Sequence, residues 1–197
     1  MTDRPAPAHA PAPAPHPAHG RLTTRFARTA DVRAIRDIVA PLVLERRIVA
    51  KEGVAYYEGL QEFRVVEVDG EVVGCGALHV MWEDLAEVRT IAVSDRYLGQ
   101  GAGSALLRDL LDDARRLGVS RVFCLTFETD FFSRHGFVPI EGQAVTAEVY
   151  AELLRSYDEG VAEFLDLERV KPNTLGNTRM LCVLAECPDA AGRVNER

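Results

Sequence analysis

The sequence contains no apolar run long enough to cross a membrane, and no secretory signal peptide is recognisable at its start. Basic residues are outnumbered: 23 Lys and Arg face 30 Asp and Glu, and the net charge of −7 argues against nucleic acid as the main partner. The cysteines lie mostly within apolar runs and form no Cys-x-x-Cys pair; they are Cys75, Cys124, Cys182 and Cys187. We therefore expect a cytoplasmic protein with reduced, buried thiols, without a disulfide framework and without a zinc or other metal site.

The remaining composition indicates one domain between two tails. The chain of 197 residues is long enough for one substantial core. Residues 1–20 are nearly all Pro, Ala and His, a composition that cannot build a core, so we predict a disordered or polyproline-like tail there. We assign residues 21–185 to a single domain and residues 186–197 to a C-terminal tail.

A glycine-rich turn between an apolar run and an amphipathic run is the most informative stretch of the chain. Ile91 and Val93 end the apolar run, and Gly99, Gly101 and Gly103 follow within the turn. The amphipathic run that comes next places these residues on one helical face: Leu106, Leu107, Leu110, Leu111, Ala114 and Leu117. Because the first N–H groups of a helix lack partners within the helix, a strand, a bare turn and a helix start together predict an anion site, most naturally for a phosphate.

Two well-known phosphate-binding loops fit this turn poorly. A nucleotide-hydrolysing P-loop requires Lys and then Ser or Thr after its last glycine, and no lysine lies between Lys51 and Lys171. A dinucleotide fold requires Gly-x-Gly-x-x-Gly early in the chain, whereas the spacing here is Gly-x-Gly-x-Gly after a long β-rich segment. A plain strand–helix turn without a ligand is the alternative for any lone glycine cluster.

The pattern Arg96-x-x-Gly99-x-Gly101 is more specific than the glycines alone. It resembles the Arg/Gln-x-x-Gly-x-Gly/Ala signature of the GCN5-related N-acetyltransferases (GNAT), with the flanking strand and helix in the expected places. The resemblance implies an α/β GNAT acyl-CoA N-acyltransferase fold, with a mixed, mostly antiparallel central sheet and flanking helices. The strands predicted to lead into the turn are Phe63–Val68, Glu71–Met81 and Leu85–Val93, the first two joined by an Asp69-Gly70 hairpin turn.

In that family the glycine turn holds the pyrophosphate of acetyl coenzyme A, and a short late helix packs beside the coenzyme. The resemblance therefore predicts acetyl-CoA as co-substrate. The residues that it assigns to the coenzyme are Ile91, Ala92, Val93, Arg96, Gly99, Gln100, Gly101, Ala102, Gly103, Ser104, Phe131, Phe132 and Arg134.

The strand before the turn carries two charged residues in an otherwise apolar run. By the period of two, Glu87, Arg89, Ile91 and Val93 share one face. An ion pair between Glu87 and Arg89 at a sheet edge would be a purely structural explanation. A protonated amine cannot attack a thioester, however, and a carboxylate in a partly dry cleft can take its proton. Several acetyltransferases have a glutamate general base at this position, so the resemblance implies that role for Glu87.

The group that protonates the departing thiolate is less clear from the sequence. Many family members have a tyrosine in the late motif, where this chain has Phe132. We predict Thr126 as the substitute general acid, because its strand faces the sulfur end of the coenzyme in this fold. Ser133 and His135 are alternatives, and the thiolate can also leave without an acid, since thiols are fairly acidic.

From about Leu22 to Leu184 the chain resembles the bacterial amino-acid N-acetyltransferases of arginine biosynthesis, the N-acetylglutamate synthases, in their short, single-domain form. The resemblance implies L-glutamate as acceptor, with Lys51 and Arg179 as candidates for its carboxylates and Asn177 and Arg89 nearby. For Lys51 and Arg179 an ordinary solvated polar surface is the alternative. The longer members have an arginine-sensing kinase-like domain, so feedback through it is not expected here.

Two other functions remain open at this stage. One is the same chemistry on another amine, such as another amino acid, a protein N-terminus or a polyamine. The other is an acyl-CoA-binding sensor module without activity. As partners we expect only small molecules, no nucleic acid and no membrane. Members of the superfamily often form dimers, so the resemblance also allows a homodimer.

Overall fold

One sheet of seven strands forms the centre of the computed structural model, which describes residues 20–168 and 176–186. The strands are β1 Leu22–Phe26, β2 Phe63–Val68, β3 Glu71–Trp82, β4 Leu85–Val93, β5 Arg121–Thr126, β6 Val138–Pro139 and β7 Thr178–Val183. Their order in space is β1-β2-β3-β4-β5-β7-β6. Every neighbouring pair is antiparallel except β4 and β5, which are parallel. The predicted mixed, mostly antiparallel sheet is therefore confirmed.

Helices cover both faces of this sheet. They are α1 Val32–Leu44, α2 Gly53–Glu58, α3 Ala102–Arg116, α4 Thr129–Ser133, α5 Ala147–Leu153 and α6 Glu159–Phe164. Helix α1 packs on one face against β2 and β3, and α3 packs on the other face against β3 and β4. The leucine stripe of α3 is buried as predicted, except for Leu117, which lies just past the helix end and is 63% exposed.

The α5–α6 segment covers the sheet on the same side as α1. The ring of Phe164 packs edge-on against Phe123 of β5, with 5.2 Å between the ring centroids. Helix α5 begins after Thr146, because the Thr146 hydroxyl accepts a hydrogen bond from the Val149 backbone N–H. Helix α6 is capped in the same way by Asp158, whose carboxylate accepts from the Val161 N–H at 3.2 Å. This segment therefore lies directly over the middle of the sheet.

A bulge in β4 corrects the predicted alternation of its side chains. Thr90 has a positive φ of 59°, and the register with β3 shifts there, with Ala77 opposite Arg89 but Cys75 opposite Ala92. Because a bulge inserts one extra residue, every later side chain changes face. Ile91 therefore packs in the α3 cluster, on the face opposite Glu87 and Arg89, and Val93 packs with the start of α3.

The cysteines also depart in part from expectation. Cys75 and Cys124 are free and buried, as predicted, and burial raises the pKa of the Cys75 thiol to about 12. Cys182, in contrast, is disulfide-bonded, so the prediction of four reduced thiols is wrong for this residue. A disulfide needs only two sulfur atoms at bonding distance, which residue spacing in the sequence does not reveal. Cys187 lies outside the described residues.

Most of the two predicted tails, at residues 1–20 and 186–197, also lies outside the described residues, so these domain limits stay a prediction. Among the described residues, no helix combines the length and apolar character required to cross a bilayer. In the same ranges no group of three or more His, Cys, Asp or Glu side chains is arranged to hold a metal ion.

Candidate active site

The two parallel strands separate in the middle of the sheet. Among the described residues, β4 and β5 pair only over Leu85–Glu87 and Arg121–Phe123, although β4 continues to Val93 and β5 to Thr126. Ligands of sheets with parallel strands bind in crevices at the carboxyl ends of such strands. Glu87 is the last residue of β4 that pairs with β5, so it lies where the crevice between these two strands opens.

The glycine turn lies at the far end of β4 and leads into α3. Gly99 and Gly101 have positive φ values of 73° and 86°, and a Cβ at either position would meet nothing within 4 Å. The N-cap residue of α3, Gly101, has no side chain to cap the helix, so the first N–H groups of α3 receive no side-chain acceptor from it. These bare N–H groups fit a diphosphate, which is the fit that a coenzyme A site requires.

Two side chains around this turn have distinct positions. Arg96 is exposed and lies over the Tyr97 ring at 5.7 Å, which leaves its charge at the rim of the turn. Gln100 donates from its side-chain nitrogen to the Arg96 carbonyl at 2.8 Å and so stabilises the turn itself. Gly103 differs from the other two glycines, since a Cβ there would lie 3.6 Å from the Phe131 ring.

The remaining predicted coenzyme residues divide between surface and core. Phe131 is half-buried beside Gly103, and Arg134 is exposed. Phe132 lies in the core, where its ring packs edge-on against Phe131 and Phe137. Ala92 is buried, Ser104 is half-buried, and Ala102 is buried at the start of α3.

Thr126 ends β5 at the crevice and is buried. Its hydroxyl oxygen accepts a hydrogen bond from the Glu128 backbone N–H at 2.8 Å. This bond leaves the hydroxyl proton free to be donated elsewhere. His135, one of the alternatives, has Nδ1 at 2.8 Å from the Phe131 carbonyl oxygen, which commits that nitrogen to α4.

Glu87 is enclosed in the protein. It is only 3% exposed, and its Oε2 atom is buried without a hydrogen-bond partner among the described residues. The nearest cation is Arg89, whose Nη1 lies 3.8 Å from Glu87 Oε2. Burial raises the pKa of Glu87 to about 7, although the positive charge of Arg89 opposes the increase. Gly160 of α6 packs on this carboxylate so closely that a Cβ there would collide with Oε2.

Arg89 is held by two acidic residues that the sequence did not reveal. Its Nη1 donates to Asp158 Oδ2 at 2.9 Å and its Nη2 donates to Glu62 Oε2 at 2.7 Å. The second Glu62 oxygen lies 2.7 Å from Nδ1 of His79. Burial alone would raise the pKa of both acids, but Arg89 and His79 outweigh it, so the pKa values of Glu62 and Asp158 are lowered and both are ionised.

The other predicted acceptor residues lie in different surroundings. Lys51 has an exposed side chain and makes no ion pair with another described residue, and desolvation of its amino group together with the charge of Arg89 lowers its pKa. Arg179 donates instead to the backbone carbonyls of Phe164 and Gly142, so its guanidinium holds the α5–α6 segment to β7. Asn177 is half-buried directly before β7.

The comparisons with known proteins agree with this geometry. Residues 42–137 match the family described as the Acetyltransferase (GNAT) family. A Mycobacterium tuberculosis protein named amino-acid acetyltransferase is 54% identical over 175 residues, which are 85% of this chain and 98% of that protein. The chain belongs to the amino-acid acetyltransferases of the GNAT family. This acetyltransferase is therefore an enzyme that uses acetyl-CoA as acyl donor, as the sequence predicts.

Solved structures place the acetyltransferase on the same fold. A Mycobacterium tuberculosis crystal structure in complex with CoA and NLQ is 55% identical, with a TM-score of 0.79 over 82% of this chain and 98% of that chain. Neisseria gonorrhoeae N-acetylglutamate synthase, complexed with coenzyme A and N-acetyl-glutamate, is 22% identical with a TM-score of 0.67 and shows the fold alone. Larger relatives exist: the chain spans 28% of the Aeromonas salmonicida amino-acid acetyltransferase at 29% identity.

The sequence predicts the turn and Glu87 as parts of the site, which stay predictions, and it does not reveal the groups around them. Glu62, His79, Asp158 and Glu163 lie beside Glu87 and Arg89, and no motif marks them. Only the fact that Arg89 is a charge inside an apolar strand could have indicated that buried acidic partners were needed.

Proposed function

We propose that this acetyltransferase moves the acetyl group from acetyl-CoA to the α-amine of L-glutamate, the first step of arginine biosynthesis. The observation that carries the proposal is the buried, unpartnered Oε2 of Glu87 at the point where β4 and β5 separate. A carboxylate with a pKa of about 7 is suited to take a proton from an ammonium group near neutral pH. The name of the 54%-identical relative supports an amino acid as acceptor.

In this proposal the glycine turn positions the donor and the crevice performs the chemistry. The N–H groups at Gly101–Ser104, together with Arg96, bind the diphosphate, and Phe131 contacts the coenzyme beside them. The thioester supplies the acyl group. Backbone N–H groups of Ile91–Val93, which lie beyond the part of β4 that pairs with β5, stabilise the oxyanion.

The proton transfers are assigned to two side chains. Glu87 accepts a proton from the acceptor ammonium, and the resulting amine attacks the thioester carbonyl directly, without a covalent enzyme intermediate. Thr126 is suited to protonate the departing sulfur, because its oxygen already accepts a hydrogen bond and its proton is free; the second proton of the attacking nitrogen then restores the hydroxyl. Much of the rate enhancement then comes from the alignment of two bound substrates.

Lys51 is the best-supported ligand for an acceptor carboxylate. Among the cations predicted to bind the acceptor, it is the one that makes no ion pair with a described residue. The charges of Arg89 and Glu87 both act on the pKa of its amino group. Arg89 and Asn177 are assigned to the same part of the site. Arg179 is assigned a carboxylate only if it exchanges its backbone acceptors for the substrate.

A second candidate follows from these pairings. Arg89 is neutralised by Glu62 and Asp158, and Arg179 is bonded to backbone carbonyls, so among the described residues predicted to bind the acceptor Lys51 is the cation left without a partner. If only Lys51 of these predicted acceptor residues binds a carboxylate, the site favours an amino acid with a single carboxylate, such as L-glutamine, over a dicarboxylate. Both candidates use the same reaction and the same base.

An acceptor screen tests the proposal. Purified protein with acetyl-CoA is assayed for free thiol with glutamate, glutamine, leucine and a polyamine. We expect turnover with glutamate and none with the polyamine. Higher kcat/KM for glutamine would select the second candidate. Coenzyme binding by calorimetry without thiol release from any acceptor would instead identify an inactive sensor.

Lys51→Met provides the matching test of the acceptor site. It should raise KM for the amino acid at least about tenfold, the loss of one charge-assisted contact, and leave KM for acetyl-CoA unchanged. Arg47→Met is the control, because Arg47 is a nearby cation that is paired with Glu128. Equal effects of both variants would exclude a specific role for Lys51. The sequence composition carries the proposal of a cytoplasmic location. The family resemblance carries the proposal of a homodimer, which size-exclusion chromatography tests.

A further inference from the structure

His79 lies beside Glu87 on the sheet. The register of β3 and β4 places the two residues directly opposite each other, and directly opposite residues of an antiparallel pair point to the same face. Nδ1 of His79 lies 2.7 Å from Glu62 Oε1, so a carboxylate fixes the ring and favours the tautomer with the proton on Nδ1. The other nitrogen, Nε2, is then a proton acceptor.

The two side chains differ in their access to solvent. The Glu87 side chain is 4% exposed, whereas the His79 side chain is 23% exposed. Nε2 of His79 lies 3.8 Å from Asp158 Oδ2. The same Asp158 oxygen accepts a hydrogen bond from Arg89 Nη1. Arg89 Nη1 in turn lies 3.8 Å from Glu87 Oε2. These atoms form one continuous polar cluster between the buried carboxylate and the surface.

The proposed reaction releases one proton for each turnover. An ammonium acceptor and a thioester give an amide, a thiol and one proton: the C–N bond forms, the C–S bond breaks, and the nitrogen loses two protons. One of these protons ends on the sulfur. The other reaches Glu87, which must return it to solvent before the next turnover.

We propose that His79 is the exit for this proton. Glu87–H transfers its proton to Nε2 of neutral His79, directly or through one water, and the imidazolium then releases it to solvent. The inference rests on the proposed role of Glu87 as base. His79 acts through Glu87 and contacts neither substrate, while Glu62 holds its ring in place.

Several charged groups surround this pair and contribute to its protonation. Glu163 is the rival exit, because it lies one helical turn after Gly160 and is half-buried; burial, and then the charge of Glu87, raises its pKa to about 7. The groups that face Glu87 and His79 are Lys51 before α2, Glu62 before β2, Arg89 on β4, and Asp158 and Glu163 at α6; Glu159 acts on Glu163.

Chemical rescue of His79→Asn tests the inference. Asparagine can still bond Glu62 but cannot titrate. At about pH 8, where Glu87 is ionised, kcat should fall about 100-fold, the low end for a proton-transfer group, with KM for acetyl-CoA unchanged. Added imidazole should restore kcat in proportion to its concentration, and an equal ionic strength of chloride should not. Glu163→Gln is the matched control and should keep kcat and show no response to imidazole.

The outcomes separate the relay from the base. Unchanged kcat in His79→Asn, or a fall that imidazole does not restore although thermal unfolding and coenzyme affinity are normal, would overturn the relay. A fall in Glu163→Gln alone would move the exit to Glu163 and overturn it as well. Turnover that survives in Glu87→Gln would instead remove the base on which the relay depends, a separate result.

Discussion

Replacing Glu87 by glutamine should stabilise the protein while it abolishes turnover. The carboxylate is buried between the sheet and α6, and its Oε2 has no hydrogen-bond partner among the described residues. An enzyme that keeps an ionisable group in such a place loses stability to gain function. Glutamine has nearly the same shape and no charge, so it removes the desolvation penalty and leaves the packing on Gly160 intact.

The size of the gain follows from the pKa of Glu87. Its pKa rises from 4.5 to about 7 on folding. Because the folded state binds this proton more tightly than the unfolded state, stability falls as the pH rises through that window. Each pKa unit corresponds to about 1.4 kcal/mol, so the full loss is about 3 kcal/mol above pH 7. Glu87→Gln avoids it, which corresponds to about 6–12 °C in Tm for a chain of this size.

Thermal unfolding of the variant and the parent at several pH values is the assay. The difference in stability should be largest at about pH 8 and should disappear only below about pH 4.5, where Glu87 is protonated in the folded and in the unfolded state. Glu58→Gln, at an exposed carboxylate, is the control and should show no such trend. A variant that is less stable than the parent at high pH would refute the account of a penalised, unpartnered charge.

The activity of the parent should follow the same titration. Only ionised Glu87 can accept the amine proton, so kcat/KM should rise about tenfold between about pH 6 and pH 8, with an apparent pKa near 7. A pH profile that is flat across this range would separate Glu87 from the rate, whatever the stability data show.

Two further predictions concern the coenzyme turn and the core. Gly101→Ala and Gly118→Ala should each cost about 1 kcal/mol, since both residues have positive φ with open space around them, but only Gly101→Ala should weaken coenzyme A binding by calorimetry. Arg64→Met should lower the free energy of unfolding, measured in denaturant, by about 3–5 kcal/mol, because it leaves the buried carboxylate of Asp113 without its main partner. Arg116 is an exposed partner of the same carboxylate, so Arg116→Met should lower it by less than about 1 kcal/mol.

The sequence by itself determined the local elements that carry the coenzyme site. The range Leu85–Val93 was predicted to the residue, because a β-branched run between turn residues has few alternatives. The Asp69-Gly70 turn has both residues at positive φ, as its composition requires. The glycine turn and the leucine stripe of α3 depend only on residues near in sequence, so their patterns were sufficient.

The tertiary structure decided which side chains meet. The bulge at Thr90 separates Ile91 and Val93 from the face of Glu87, and a second register shift near the end of β3 places His79 opposite Glu87. Simple counting back from the Glu83-Asp84 turn would have given Val80 that place. Bulges depend on how helices on both faces pack, and the partners of Arg89 come from segments 27 and 69 residues away. Such long-range contacts leave no periodic mark in the sequence, and for this reason the charged surroundings of the base became visible only in the fold.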